Sequence, residues 1–193
     1  MNTPDWILSK YPADYKGYAV ELGAVDGIYL SNTLALEDKV WKVLCIEPNP
    51  RHHAALTKNR KLVMRCACDK KPRIRAKLYE ASGIAGDTYA ALRFDNPRWG
   101  KPAGGIQQTY ETTVLTLDQC LVCVGFPRLD VLVLDVDGLE EAILSGLNLE
   151  KWKPGILIVE EIFLNGGPSR DIPGYHEEFR DGPNIHDLRD HSR

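Results

Sequence analysis

The chain has 193 residues, 44% of them hydrophobic and 26% charged, with a formal net charge of −3. That length and apolar content suit one domain with a sizeable core, and the small negative charge gives no electrostatic reason to expect nucleic acid or an anionic membrane as partner. No apolar run approaches the roughly 20 residues of a membrane-spanning helix, and the stretch from Met1 to Trp6 lacks the basic-then-apolar layout of a signal peptide, so a cytoplasmic protein is expected.

The first predicted strand is Tyr18–Leu22, followed by the turn Gly23-Ala24-Val25-Asp26-Gly27 and a helix starting near Ser31, with Asn32 beside it as a second capping residue. Val43–Glu47 is the second strand, and Pro50 opens a helix that runs to about Asn59. Leu62–Cys68 reads as the third strand. Ile74–Tyr79 alternates as a half-exposed strand, and the Thr-rich segment Gln107–Leu115 is a candidate to pair with it. Between them Ala81–Gly105, rich in Gly and Pro, is long enough to expect a lid or binding loop.

Thr116-Leu117-Asp118-Gln119 has capping-box spacing, which makes Asp118 a helix-start residue. Asp130–Val136 is apolar on both faces, as a central parallel strand must be. Asp137-Gly138 turns the chain into a helix over Leu139–Leu147, and Ile156–Val159 is a fifth strand ending in Glu160-Glu161. Beyond Phe163 the sequence becomes polar and charge-dense. The expectation is therefore an α/β domain over residues 1–162 with a doubly wound, mostly parallel sheet, and a polar tail over 163–193.

The strand ends carry the chemistry. A dinucleotide turn reads G-x-G-x-x-G and seats a pyrophosphate on a helix N-terminus. Here two glycines stand four apart, and Glu21 and Asp26 would repel a pyrophosphate. S-adenosylmethionine offers an ammonium and a sulfonium instead, which suits an acidic turn. Glu21 is then expected near the ammonium, and Gly23, with Gly27, allows close backbone approach. Glu47, at the tip of the second strand, is expected to take hydrogen bonds from a ribose diol. Asp26, Asn49, Ser31 and Asn32 are weaker candidates for the same pocket, since turn shaping and helix capping also explain them.

Asp135, Asp137, Glu140 and Glu160 fall at the tips of adjacent strands, where open α/β sheets bind ligands. Methyl transfer to a hydroxyl needs a group to remove its proton. Asp135 is the preferred base, with Asp137 and Glu160 behind it, and Mg²⁺ held by these oxygens is the alternative activator. Turn formation and helix capping are competing uses for Asp137 and Glu140.

The five cysteines read as reduced thiols, with Cys45, Cys66 and Cys68 in or beside buried strands. Cys66-x-Cys68 and Cys120-x-x-Cys123 have zinc-like spacing, but the second pair repeats one helix face, and no zinc site is expected there. His52 and His53 point in different directions on one helix. His176, His186 and His191 are expected on the surface.

Taken in order, Val20-Glu-Leu-Gly-Ala-Val-Asp-Gly27, Ser31-Asn-Thr-Leu34, Ile46-Glu-Pro-Asn49, Ser82-Gly-Ile84, Thr116-Leu-Asp118 and Leu134-Asp-Val-Asp-Gly-Leu-Glu140 resemble the FkbM-type S-adenosylmethionine-dependent methyltransferases. The resemblance implies the class I methyltransferase fold, a sheet ordered 3-2-1-4-5, and the cofactor across the ends of strands 1 and 2. By analogy Ala67, Cys68 and Asp69 would flank the adenine. It also implies an O-methyltransferase acting on a small-molecule or glycan hydroxyl. Two departures stand out. The C-terminal strand 6–7 hairpin of that fold is not legible, so a homodimer or a partner protein is expected to cover the edge of strand 5. A hairpin-less, non-catalytic binding module within a larger complex is the alternative function. Leu134, before Asp135, replaces a polar residue common in relatives, which puts one polar contact in doubt.

Overall fold

A computed structural model describes residues 2–81, 90–92, 106–136, 138–160, 172–181 and 184–189. Asp137, the Ser82–Ile84 motif and most of the expected 81–105 loop lie outside the described residues. The elements in chain order are α1 (Thr3–Ser9), β1 (Tyr18–Leu22), α2 (Leu34–Glu37), β2 (Lys42–Ile46), α3 (Pro50–Asn59), β3 (Leu62–Met64), β4 (Ala67–Cys68), β5 (Arg73–Ala81), β6 (Ala90–Ala91), β7 (Ile106–Leu115), α4 (Leu117–Cys123), β8 (Val131–Leu134), α5 (Glu140–Ser145), α6 (Leu149–Trp152), β9 (Ile156–Glu160), β10 (Tyr175–Asp181) and β11 (Asn184–Arg189).

The main sheet has seven strands in the order β10-β11-β9-β8-β1-β2-β3. Its β9-β8-β1-β2-β3 portion is parallel throughout. Successive strand residues point to opposite faces, so the continuous apolar runs feed two cores. Val20, Leu22, Leu44, Ile46, Leu132 and Leu134 pack on one face with Leu117 and Leu121 of α4 and Ile143 of α5. Ala19, Val43, Cys45, Val131 and Val133 pack on the other with Trp6 and Ile7 of α1, Leu36 of α2 and Leu56 of α3. Helices on both faces make the sheet doubly wound. No helix among the described residues is long and apolar enough to cross a membrane.

The C-terminus overturns two expectations. β10 and β11 form an antiparallel hairpin, and β11 pairs antiparallel with β9 over Asn184–Leu188. The hairpin read as missing is present, the sheet does not end at its fifth strand, and Tyr175–Arg189 are not a polar tail. The β9 edge is paired within the chain, which removes the reason for expecting a homodimer or partner protein there. The hairpin is hard to read because β10 is largely exposed; Phe179 stacks on Trp6 of α1, and Tyr175 donates to the Pro154 carbonyl at 2.7 Å. His186 is buried there, not on the surface: its Nε2 lies 2.9 Å from Thr3 Oγ1, and its ring packs edge-on to Trp6. His176 is exposed.

The expected third strand is two. β3 ends at Met64, and after Arg65 and Cys66 the chain enters β4, part of a second sheet ordered β4-β7-β5-β6. There the expected pairing of the two half-exposed segments is found, with β5 antiparallel to β7. Thr116 forms the full capping box with Gln119.

Candidate active site

The C-terminal ends of β1, β2, β8 and β9 border one cavity, roofed by β4, Leu78 of β5 and the β6 segment. Glu21, Gly23, Ser31, Asn32, Glu47, Asn49, Ala67, Cys68, Asp135 and Glu160 all line it. Asp26 and Gly27 do not. Four carboxylates reach the wall, and among the described residues no lysine or arginine does.

Glu21 ends a buried strand and is almost wholly enclosed. Its Oε1 accepts from Asn32 N–H at 2.7 Å. Its Oε2 accepts from Ser31 Oγ at 2.8 Å, Thr33 Oγ1 at 2.7 Å and Arg60 Nη1 at 3.0 Å. Charge-assisted bonds of this kind are the strong ones, and here they fold the segment after the turn around the carboxylate. Arg60, which sequence reasoning missed, is buried and also reaches the Gly27 carbonyl at 3.1 Å and Glu37 at 3.4 Å. Nothing local marks it, because its partners lie 23 or more positions away in the chain.

The turn glycines serve different ends. A Cβ on Gly23, at φ +81°, would stand 1.8 Å from the carbonyl oxygen of Asp135, so only glycine lets the two strand ends meet. A Cβ on Gly27 would instead strike Arg60 Cγ at 2.4 Å. Gly27 therefore makes room for the arginine. Asp26 accepts from Ile28 N–H at 2.9 Å and Tyr29 N–H at 2.7 Å, shaping the turn. Burial raises its pKa, but those backbone donors and His52 outweigh that and hold it below the usual carboxylate range.

Glu47 is as buried as Glu21 but differently furnished. Its Oε2 accepts from Val25 N–H at 3.1 Å and its Oε1 from Asn49 N–H at 2.8 Å. Burial pushes its pKa up, against the lowering effect of Asn49, His52 and Val25. Val25, a β-branched residue, is held at φ +47°, a costly conformation at the cavity rim. Asn49 caps α3 through Arg51 N–H, and its Nδ2 donates to buried Glu80 at 3.1 Å. Arg51 pairs with the same Glu80 at 2.7 Å, so the second sheet is clipped to the tip of β2.

Asp135 and Glu160 end β8 and β9 on the far side of the cavity. Glu140 is buried and accepts from Val136 N–H at 3.3 Å and Gly138 N–H at 3.2 Å, so it holds the turn after β8 together. Much of the remaining lining is apolar, with Ile46, Leu78, Leu92 and Leu139. An acidic rim over an apolar slot fits a ligand that is cationic at one end and flat and apolar at the other.

A sequence model of the Methyltransferase FkbM domain matches residues 21–189. The chain belongs to the FkbM methyltransferase family. Its matched span takes in every strand end described above and the C-terminal hairpin. No curated protein matches the chain. Among solved structures it is similar to the methyltransferase FkbM from Methylobacillus flagellatus KT, at 16% identity and a TM-score of 0.48. That alignment covers 75% of this chain and 32% of the other, so this family member spans about a third of the length of that protein.

Proposed function

We propose that this FkbM domain binds S-adenosylmethionine and transfers its methyl group to a hydroxyl of a small-molecule or glycan acceptor. The observation that carries the reading is the cavity wall with four carboxylates and, among the described residues, no lysine or arginine. Such a wall repels a pyrophosphate and favours an ammonium and a sulfonium. NAD is disfavoured on the same ground.

The parts divide the work. Glu47 has accepted one backbone N–H at each oxygen, and a carboxylate oxygen takes two, so a ribose diol can donate to it. Glu21, saturated on one oxygen by three donors, has room for an ammonium on Oε1. The slot lined by Ala67, Cys68, Leu78 and Leu92 suits an adenine face. When bound, S-adenosylmethionine supplies an electrophilic methyl on a sulfonium. Asp135, or Glu160 beside it, takes the acceptor's hydroxyl proton as the oxygen–carbon bond forms and the sulfur leaves as a neutral thioether. Mg²⁺ held by the carboxylates at the ends of β8 and β9 is the alternative activator of the hydroxyl. The non-catalytic module rested on a missing hairpin, and loses its support with the hairpin in place.

The test is calorimetric titration with S-adenosylhomocysteine, on wild type and Glu47→Ala. Micromolar binding weakened at least tenfold by the substitution, about 1.4 kcal/mol, is expected. Absence of binding to the wild type, or NADH binding in its place, would sink the reading.

A further inference from the structure

Cys66, Cys68 and Cys120 come together from parts of the chain more than fifty residues apart. Cys66 lies in the link between β3 and β4, Cys68 is in β4, and Cys120 is in α4. All three are buried in the same apolar cluster as Leu117, Leu121 and Leu134. Cys120 Sγ stands 3.8 Å from Cys66 Sγ and 3.8 Å from Cys68 Sγ, and all three sulfurs lie within 4.8 Å of one another. A tetrahedral zinc site with Zn–S bonds of about 2.3 Å has sulfur–sulfur edges of about 3.8 Å. Packed thiols also touch at about this distance; what sets the trio apart is that three thiols from two distant segments converge on one point. Cys123, one turn along α4, is exposed and stands outside the trio.

We propose that Cys66, Cys68 and Cys120 form a three-thiolate site for a thiophilic d¹⁰ cation of the zinc type. An all-sulfur donor set selects soft or borderline ions over Mg²⁺ or Ca²⁺. Binding a divalent ion forms three metal–sulfur bonds and releases three protons to solvent, leaving a centre of net charge −1. Cys66 and Cys68 also line the cavity, which gives the ion a path of entry. The ion joins the junction of the two sheets to α4, stiffening the wall that carries Ala67 and Cys68. The site stands on its own geometry and does not depend on which cofactor the cavity takes.

The experiment is titration of the fully reduced chain with Cd²⁺ as a spectroscopic stand-in for Zn²⁺, following the ultraviolet thiolate-to-cadmium charge-transfer band. One equivalent is expected to saturate the band, and prior loading with Zn²⁺ to slow or reduce its appearance. Cys123→Ser should keep the band, while Cys120→Ala should lower Cd²⁺ affinity at least tenfold. Zn²⁺ should raise the melting temperature of the wild type and leave Cys120→Ala unmoved. A wild type without the band would overturn the site. So would a Cys120→Ala variant that keeps the wild-type Cd²⁺ affinity, or a band that disappears with Cys123→Ser.

Discussion

Glu21 and Glu47 end neighbouring parallel strands, are both buried and face one cavity, yet their surroundings differ. Glu21 is met by a guanidinium, two hydroxyls and an amide N–H. Glu47 receives two backbone N–H groups, and burial outweighs them, raising its pKa. A buried carboxylate with its charge compensated is a structural anchor. One with its charge under-compensated is a site waiting for donors, and the energy it lacks in the unliganded protein is available to a ligand. Two acids of like position are therefore held differently: Glu21 is anchored chiefly by its own chain, and Glu47 has more capacity left for outside donors.

Removing Arg60 should test that division hardest. Arg60→Ala leaves Glu21 and Glu37 buried without their cation, and the loss expected in urea denaturation is about 3–5 kcal/mol. A loss under about 1 kcal/mol would mean that Glu21 is not anchored by charge. Next in size is the same substitution made at both acids. Glu21→Gln should cost about 2–3 kcal/mol of stability, since charge-assisted bonds become neutral and Arg60 loses a partner. Glu47→Gln should cost about 1 kcal/mol or less, because relief of a buried charge offsets the misplaced amide facing Val25. In affinity for S-adenosylhomocysteine Glu47→Gln should be hurt more than in stability. A reversed ranking would exchange the two roles.

The smallest effect is a pH slope. Because Glu47 has a raised pKa in the folded chain, folding takes up a proton there, and stability falls as pH rises from the unfolded value near 4.5 to the folded one. Below that window the penalty is absent, and above it the penalty is complete. Wild-type melting temperature should therefore decline through the window relative to Glu47→Gln, and bound ligand should flatten the decline. Parallel melting curves for the two proteins would show that burial leaves Glu47 unstrained.

The legible part of the site was the part with local causes. Gly23 and Glu47 were readable because a glycine turn and an acid at a strand tip sit within a few residues of the strand that positions them. Asp26 shares that neighbourhood, but its Oδ1 is engaged by two N–H groups of its own turn and it does not line the cavity. Arg60 was invisible, since its value lies wholly in partners brought from β1 and α2.

By itself the sequence determined the parallel strands, the two helical layers, the capping box at Thr116 and the acidic strand ends. These follow from apolar runs, spacing and side chains that act on their own backbone, all short-range causes. Only the tertiary structure decided the hairpin, the Arg60 anchor and the cysteine trio. β10 and β11 have too few apolar positions to announce themselves, and they are ordered by the β9 edge and by α1 packing on His186. Cys66, Cys68 and Cys120 meet because the chain leaves one sheet for another at Arg65 and Cys66 just where α4 packs. Each depends on surfaces that exist only after the chain has folded.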